Sequence, residues 1–497
     1  MRRAPVEPRV RVRPASVVRR SRPVPVSERL ASRIAAFRLA DVPASVVDRA
    51  RLVLLDTLGA MLAAASPRYS ATRVLTELAR RVGGRPEASL IGQARRVDCV
   101  TAALVNGTLA YYCDIEPHHG RAILHAPAVM VPTALAVAEA TGASGARFLE
   151  AMILGIEVAC RVSLALDPRA LYARGFHPSA VCGAFGAAAA GARLLRLRAA
   201  HVQVALGLAM QQACGLLAWA SDPTENSRPL NPGLAARNGT TAALLARLGF
   251  GGPPTPFEGT YDAFTAFSGR RDPRVLLDGW GRQFYLPDLA FKRYASCAFT
   301  HPGLDALLGL ASAHRLRAAD VARIVLRFPR AGAHMIDAHP LKSHCAQYVL
   351  PVGLVFGGVM IDDILRDRTR DRDVARLQSH TILVRDPKLD RTYPERYASI
   401  VEVTTRNGRR FSRRVDHARG TPQNPLTIAE IREKYRLLTA GVAAAGRARR
   451  IASLVDRIES LSDIRAIAAL LRGSLRRSRR AGPRGPRGRT GLAGPTR

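Results

Sequence analysis

The residues able to do proton chemistry sit in a few short stretches. The segment DIEPHHGRAILHAPA (114–128) holds Asp114, Glu116, His118, His119 and His125, so three histidines lie within twelve residues beside two acids. A fourth histidine, His177, stands in RGFHPSAVCGAFGA (174–187) just before a small-residue helix pattern. Neutral imidazole titrates near pH 6.5, which suits taking or giving a proton at neutral pH. Arg228 lies in the polar, proline-rich segment SDPTENSRPLNPGLAARNG (221–239); its planar fork matches the two oxygens of a carboxylate. Lys292 in FKRYASCAFTH (291–301), one of only four lysines, and Tyr348 after SHCAQ complete the set. These residues describe an acid–base site beside cationic groups.

Other chemistries find little support. Adjacent histidines point in different directions, and His118, His119 and His125 lack the i,i+4 spacing of a helical metal pair, so no metal site is expected. The seven cysteines are scattered with no C-x-x-C pair, which argues against a disulfide framework, structural zinc or an iron–sulfur cluster and fits a reducing cytoplasm. Neither a Walker nor a Rossmann phosphate loop is present, and G-x-S-x-G is absent. No run of 18 uncharged apolar residues occurs, so no membrane span is expected.

The net charge of +36 invites a nucleic-acid reading, but its distribution argues against one. Residues 1–30 carry nine Arg and two Glu, and residues 471–497 carry nine Arg and no acid. The ends therefore supply +16 (9 − 2 + 9) of the total, in segments rich in charge, Gly and Pro that have almost nothing to bury. Disordered tails over 1–26 and 473–497 are expected. The arginine-rich, acid-poor start also has the composition of a mitochondrial transit peptide, the lesser reading.

Between the tails, residues 27–285 read as helices. Apolar residues recur at helical spacing in 51–65, 128–140, 146–166, 183–197, 199–219 and 233–248, and the Ala/Gly content predicts close helix packing. After about residue 286 strand runs appear: RIVLRF (323–328), HTILVR (380–385) and two runs joined by Asn-Gly across 398–415, a hairpin signal. Residues 346–359 read as a helix. Thr427 and Glu430 form a capping box that opens another helix. The fold class is mostly α: a large all-helical domain (27–285), a smaller α+β lid domain (286–420), and C-terminal helices (421–472) returning to the first.

The order of these segments resembles the MmgE/PrpD family over residues 28–440. The resemblance rests on LLDTLG, ALVNGTLAYYCD, LHAPAVMVPTALAVAEA, GFHPSAVCGAFGA, RPLNPGLAARNG, FKRY, AQYVLP, GTPQNPLT and EKYRLL, in that order. It implies a helical domain and a lid with the site between them, a homodimer, and no metal or organic cofactor. It also implies catalytic roles for His125, His177, Asp114 and Tyr348, with Asp114 orienting a histidine, and substrate-binding roles for Arg228, Lys292, His118 and Cys297. Departures stand out: Glu116, Pro117 and His118 replace the family's second acidic pair and Thr, Arg228 replaces the Lys of decarboxylase-like members, and Cys297 replaces their lid His. The expected function is a cofactor-independent lyase, dehydratase or decarboxylase, acting on a small di- or tricarboxylate. The alternatives are an isomerase or epimerase using the same site, and a non-catalytic ligand-binding homologue.

Overall fold

The structure, a computed structural model, describes residues 24–473 except 113, 394 and 395. The expected disordered tails and the transit-peptide reading lie outside the described residues, apart from the tails' inner ends.

The first part of the chain is a stack of helices: α1 (Val26–Ala36), α2 (Ala44–Ala64), α3 (Ser70–Val82), α4 (Cys99–Tyr111), α5 (Ala126–Thr141), α6 (Gly145–Leu166), α7 (Pro168–Ala173), α8 (Pro178–Leu194), α9 (Ala199–Gln212) and α10 (Ser227–Arg247). Helices α5 and α8 are apolar nearly all round and buried along almost their whole length, as a helix enclosed by others must be. Small residues set the spacing. A Cβ on Gly107 of α4 would come within 3.0 Å of Gly233 Cα on α10, and one on Gly239 would lie 2.6 Å from the Ala184 carbonyl oxygen of α8. Gly239→Ala is therefore expected to cost about 1–3 kcal/mol by forcing α8 and α10 apart, read as a lower urea midpoint at unchanged m. Unchanged stability would mean that this contact relaxes freely.

The helix over 233–248 begins earlier than its sequence pattern, at Ser227, and carries Pro232 inside it. Pro232 has no N–H to offer the Arg228 carbonyl, yet packing against α4 and α8 holds the turn. The helix expected over 199–219 stops at Gln212. The region expected to be all-helical also contains one short antiparallel ladder and supplies one strand of a second. One joins β1 (Ala88–Ser89) to β2 (Arg96–Val97). The other joins β3 (His118–His119) to β4 (Leu289–Ala290), pairing His118 with Ala290 and His119 with Leu289.

The lid carries a four-stranded sheet in the order β6-β5-β7-β8, built from β5 (Val321–Pro329), β6 (Thr381–Asp386), β7 (Ser399–Thr405) and β8 (Arg410–Val415). β5 runs parallel to β6 and antiparallel to β7, and β7–β8 is the Asn-Gly hairpin. Its apolar face, with Ile324, Leu326, Val401 and Val403, packs on α11 (His301–His314) and α12 (Ala346–Phe356) through Leu307, Leu310 and Leu350. The short helices α13 (Ile361–Leu365) and α14 (Arg372–Ser379) follow. Then α15 (Ile428–Thr439), opened by the Thr427–Glu430 capping box, crosses back onto α2. Its buried Lys434 donates to Asp56 at 2.8 Å. The helices α16 (Ala445–Asp456) and α17 (Arg465–Leu471) finish the described chain. Among the described residues no helix is long and apolar enough to cross a membrane.

Candidate active site

The end of α4, the start of α5, the start of α8, the first turn of α10 and the lid segments near 292–297 and 343–344 meet in one buried cluster. Asp114 follows α4 in the left-handed region (φ 58°), a conformation that costs a non-glycine residue energy and collects at functional sites. The next carbonyl, Ile115, accepts from Lys434 Nζ at 2.7 Å, and Glu116 then turns into β3. His125 and His177 are the N-cap residues of α5 and α8, and each helix has a proline in its opening turn. Proline's fixed φ suits that position. The His125 N–H donates to Ser179 Oγ at 3.0 Å, which joins the two helix starts.

Asp114 is the electrostatic centre. Lys292 Nζ donates to its Oδ1, Arg228 Nη1 lies 3.5 Å from the same oxygen and His125 Nδ1 3.8 Å. Burial alone would raise this carboxyl, but Lys292 and Arg228 beside it hold it well below the usual carboxylate range. Glu116 is the closer partner of His125, with Oε1 2.5 Å from Nδ1. Burial pushes Glu116 up, against the pull of Lys292, and burial holds His125 well below its ordinary value. A proton on Nδ1 shared with Glu116 leaves the other ring nitrogen, Nε2, with a free lone pair. This is the logic by which a buried carboxylate orients a histidine base. Glu116 Oε2 finds no partner among the described residues.

Arg228 is 1% exposed, and none of its three guanidinium nitrogens has a hydrogen-bond partner among the described residues. Tyr111 and Trp219 flank it, with ring centroids 4.6 and 5.8 Å from Cζ; such faces favour a cation. Glu225 Oε2 is 3.8 Å away. His177 Nδ1 faces Asn231 Nδ2 at 3.3 Å, and the same nitrogen faces the Leu216 carbonyl at 3.3 Å. A carbonyl only accepts, so that atom is the amide nitrogen. His177 Nδ1 is then the acceptor, and neutral His177 carries its proton on Nε2. Burial lowers His177 to about 3. His118 stacks on His125 with centroids 5.5 Å apart.

Most residues singled out in the sequence thus meet here: Asp114, His118, His125, His177, Arg228 and Lys292. Cys297 joins them, with Sγ, an Asp114 oxygen and a His344 ring nitrogen all within 4.8 Å of one another. Burial pushes its thiol up to about 12, so it is a neutral side chain rather than a nucleophile. Tyr348 does not join. Its hydroxyl donates to the Asp363 carbonyl at 2.5 Å and faces the Arg366 carbonyl at 3.3 Å, which ties down α13 instead of the site. The expectation that Asp114 orients a histidine is also corrected: its first partner is Lys292, and Glu116 holds the imidazole. Sequence reading placed Glu116 beside the histidines without giving it a role, and missed Tyr111, Glu225 and His344 as site members. The available signals were the acid next but one after Asp114 and the histidine four residues before Tyr348.

Two donor sets, Asp114–Glu116–His125 and Asp114–Cys297–His344, have metal-ligand spacing. Both share Asp114, whose carboxylate already faces Lys292 and Arg228, and an ion placed there would be repelled by two fixed positive charges.

The buried histidines make the fold sensitive to acid. His118, His125, His177, His301 and His344 are all lowered by burial. Below about pH 6.5 the unfolded chain binds protons that the folded one refuses, so stability falls with pH by roughly 1.4 kcal/mol per unit for each such histidine. Urea midpoints are expected to drop steeply from pH 6.5 to 5. A flat profile would mean that these rings are protonated in the fold.

Comparison with known proteins agrees with this architecture. A family model for the MmgE/PrpD N-terminal domain matches residues 28–276, and one for the MmgE/PrpD C-terminal domain matches 294–460. The chain belongs to the MmgE/PrpD family. A cis-aconitate decarboxylase-like protein of Aspergillus oryzae is 29% identical over 481 residues, covering 90% of this chain and 98% of that protein. Human cis-aconitate decarboxylase is 27% identical over 464 residues, covering 90% and 95%, and that of Aspergillus terreus 26% over 462 residues, covering 87% and 92%. These relatives support an MmgE/PrpD-type enzyme of lyase character. The boundary between the two MmgE/PrpD matches falls between 276 and 294, around β4, so residues of both halves line the cluster.

Proposed function

We propose that this protein is a cofactor-independent lyase in which His125 moves a proton at the carbon next to a carboxylate of a small di- or tricarboxylic acid. The observation that carries this is the His125–Glu116 pair set beside a buried guanidinium whose three nitrogens make no hydrogen bond among the described residues, only looser ion contacts to Asp114 and Glu225. Leaving a buried cation so poorly bonded is costly, unless a ligand with two oxygens completes it. Arg228 grips one substrate carboxylate and Lys292 a second. With one proton in the pair, His125 Nε2 is a base. With two, it is an acid. Deprotonation puts the C–H electron pair into an enediolate, which the two cations stabilise in a water-poor cleft. Departure of the hydroxyl group as water, with the C–O electron pair and a proton from a second acid, completes a dehydration. In a decarboxylation the C–C pair left by departing carbon dioxide enters the same kind of enediolate, and protonation of its carbon by an imidazole of the site closes the product.

The names carried by the relatives favour cis-aconitate as the first substrate to try. The test is proton NMR in D2O with cis-aconitate, citrate, 2-methylcitrate and malate. A new vinyl product from cis-aconitate, or water loss from a hydroxy acid, is expected. Deuterium entry next to a carboxylate with no net product would replace the lyase reading by an isomerase. Silence with folded protein across the panel would overturn both.

A further inference from the structure

The lid brings a second histidine to this cluster on its own hydrogen-bonded relay. Glu225, in the helical domain, adopts the left-handed region (φ 60°) and is 4% exposed. Ser343 of the lid answers both of its oxygens: its backbone N–H donates to Oε1 and its hydroxyl to Oε2, each at 2.9 Å. A serine hydroxyl has one hydrogen, and that hydrogen is on Glu225. The neighbouring His344 Nδ1, 3.0 Å from Ser343 Oγ, must then be the donor, so neutral His344 keeps its lone pair on Nε2. The ring is buried, packs beside Trp219 at 5.6 Å, and offers a nitrogen within 4.8 Å of an Asp114 oxygen. No ion pair accounts for it among the described residues. Two imidazoles thus stand near Asp114 with the same polarity: His125, backed by Glu116 from the helical domain, and His344, backed by Ser343 and Glu225 across the domain boundary.

We propose that His344 is the second proton-transfer residue of the site, delivered by the lid, so that a proton leaves the substrate to one imidazole and arrives from the other. The idea rests on the proton-transfer reading above. With the lid open, His344 takes a proton from solvent. Once substrate is bound, His125 Nε2 removes the proton from carbon and the C–H pair enters the enediolate. His344 gives its Nε2 proton to the leaving oxygen, which departs as water with the electron pair of the C–O bond, while the enediolate pair forms the double bond. The cycle ends with His125 protonated and His344 neutral, and both reset when the lid opens. Ser343 and Glu225 are positioning residues: they fix the His344 tautomer and tie it to closure.

The experiment separates the two halves of the cycle. Wild type, His344→Asn, Ser343→Ala and His125→Asn are compared in D2O, following net turnover of citrate and deuterium entry into recovered citrate. His344→Asn is expected to lose about 100-fold in turnover, the scale of one general acid, while still exchanging deuterium, because His125 continues to remove and return protons. Ser343→Ala is expected to lose about 10-fold, and His125→Asn to lose both signals. Circular dichroism confirms folding, and Ser343→Ala, the milder change, keeps the test valid if His344→Asn does not fold. Turnover of His344→Asn or Ser343→Ala within about threefold of wild type overturns the proposal alone, as does parallel loss of exchange and turnover in a folded His344→Asn protein. If wild type is silent on citrate, turnover alone is compared on cis-aconitate, where carbon dioxide leaves instead of a C–H proton, itaconate-type vinyl signals replace water loss, and His344 protonates the enediolate carbon. Silence of wild type on both overturns the underlying reading and this proposal with it.

Discussion

Replacing His125 by asparagine is expected to lower kcat/KM by about 10³-fold in a protein that still folds, within the range for loss of a positioned acid–base group. The Asn amide still reaches Glu116 as a donor, so the contact at 2.5 Å has a substitute, while the Nε2 lone pair is gone. The pair also fixes the pH dependence. Burial raises Glu116, and as pH falls through that raised value the carboxyl takes a proton and donates it to Nδ1. The histidine proton moves to Nε2 and the base is lost. The acid limb of kcat/KM should therefore lie above the ordinary Glu value of about 4.3 and belong to the pair as a unit. Glu116→Gln cannot take that proton, yet its amide oxygen still accepts from Nδ1–H. Its acid limb should move to lower pH, toward His125 itself, which burial holds well below its ordinary value, with about 10–100-fold lower kcat from loss of the negative charge behind the ring. An acid limb identical in wild type and Glu116→Gln would remove Glu116 from the mechanism.

The second large effect concerns Arg228. Changing it to methionine is expected to raise KM by at least about 100-fold, since each lost charged hydrogen bond to a carboxylate contributes roughly 1.5–3 kcal/mol and the fork offers two. Stability should move the other way. The guanidinium is buried with no hydrogen bond among the described residues, and an apolar side chain of similar length removes that desolvation penalty while Lys292 remains on Asp114 and Glu225, 3.8 Å from Arg228, keeps both hydrogen bonds from Ser343. A melting temperature equal to or above that of wild type, joined to near-complete loss of activity, is the signature of a residue kept for its ligand. Arg228→Lys should fall between, because one ammonium replaces the planar fork. A large fall in stability with an unchanged KM would make Arg228 a structural residue.

Local signals read well from the sequence where short-range physics decides. The Asn-Gly hairpin, the Thr427–Glu430 box and the β5 and β6 runs all lie where their patterns put them. The start of α10 did not, because Pro229, Pro232 and Gly233 are loop residues by propensity. Only the fit of Gly233 against Thr108 and the Leu104 carbonyl shows why that stretch is helical. In the site, residue type was legible and direction was not. Tyr348 and His344 are four apart in sequence, and nothing in the sequence says that the hydroxyl turns to the Asp363 carbonyl while the imidazole turns to Asp114. Glu116 is nine residues from His125 with Pro117 between them, and the β3–β4 pairing beside this turn joins residues about 170 apart, beyond any local pattern.

The return of α15 has a bearing on when the protein becomes competent during its synthesis. Asp56 lies on α2, and Lys434 follows 378 residues later. At about 5–20 residues per second, the helical half waits tens of seconds for the ammonium that pairs with its buried Asp56 carboxylate and answers the Ile115 carbonyl beside Asp114. A nascent chain can stack its helices in that interval but cannot lock the turn bearing Asp114 and Glu116. The turn is completed only once α15 has been made, so a chain cut short before Lys434 lacks that lock.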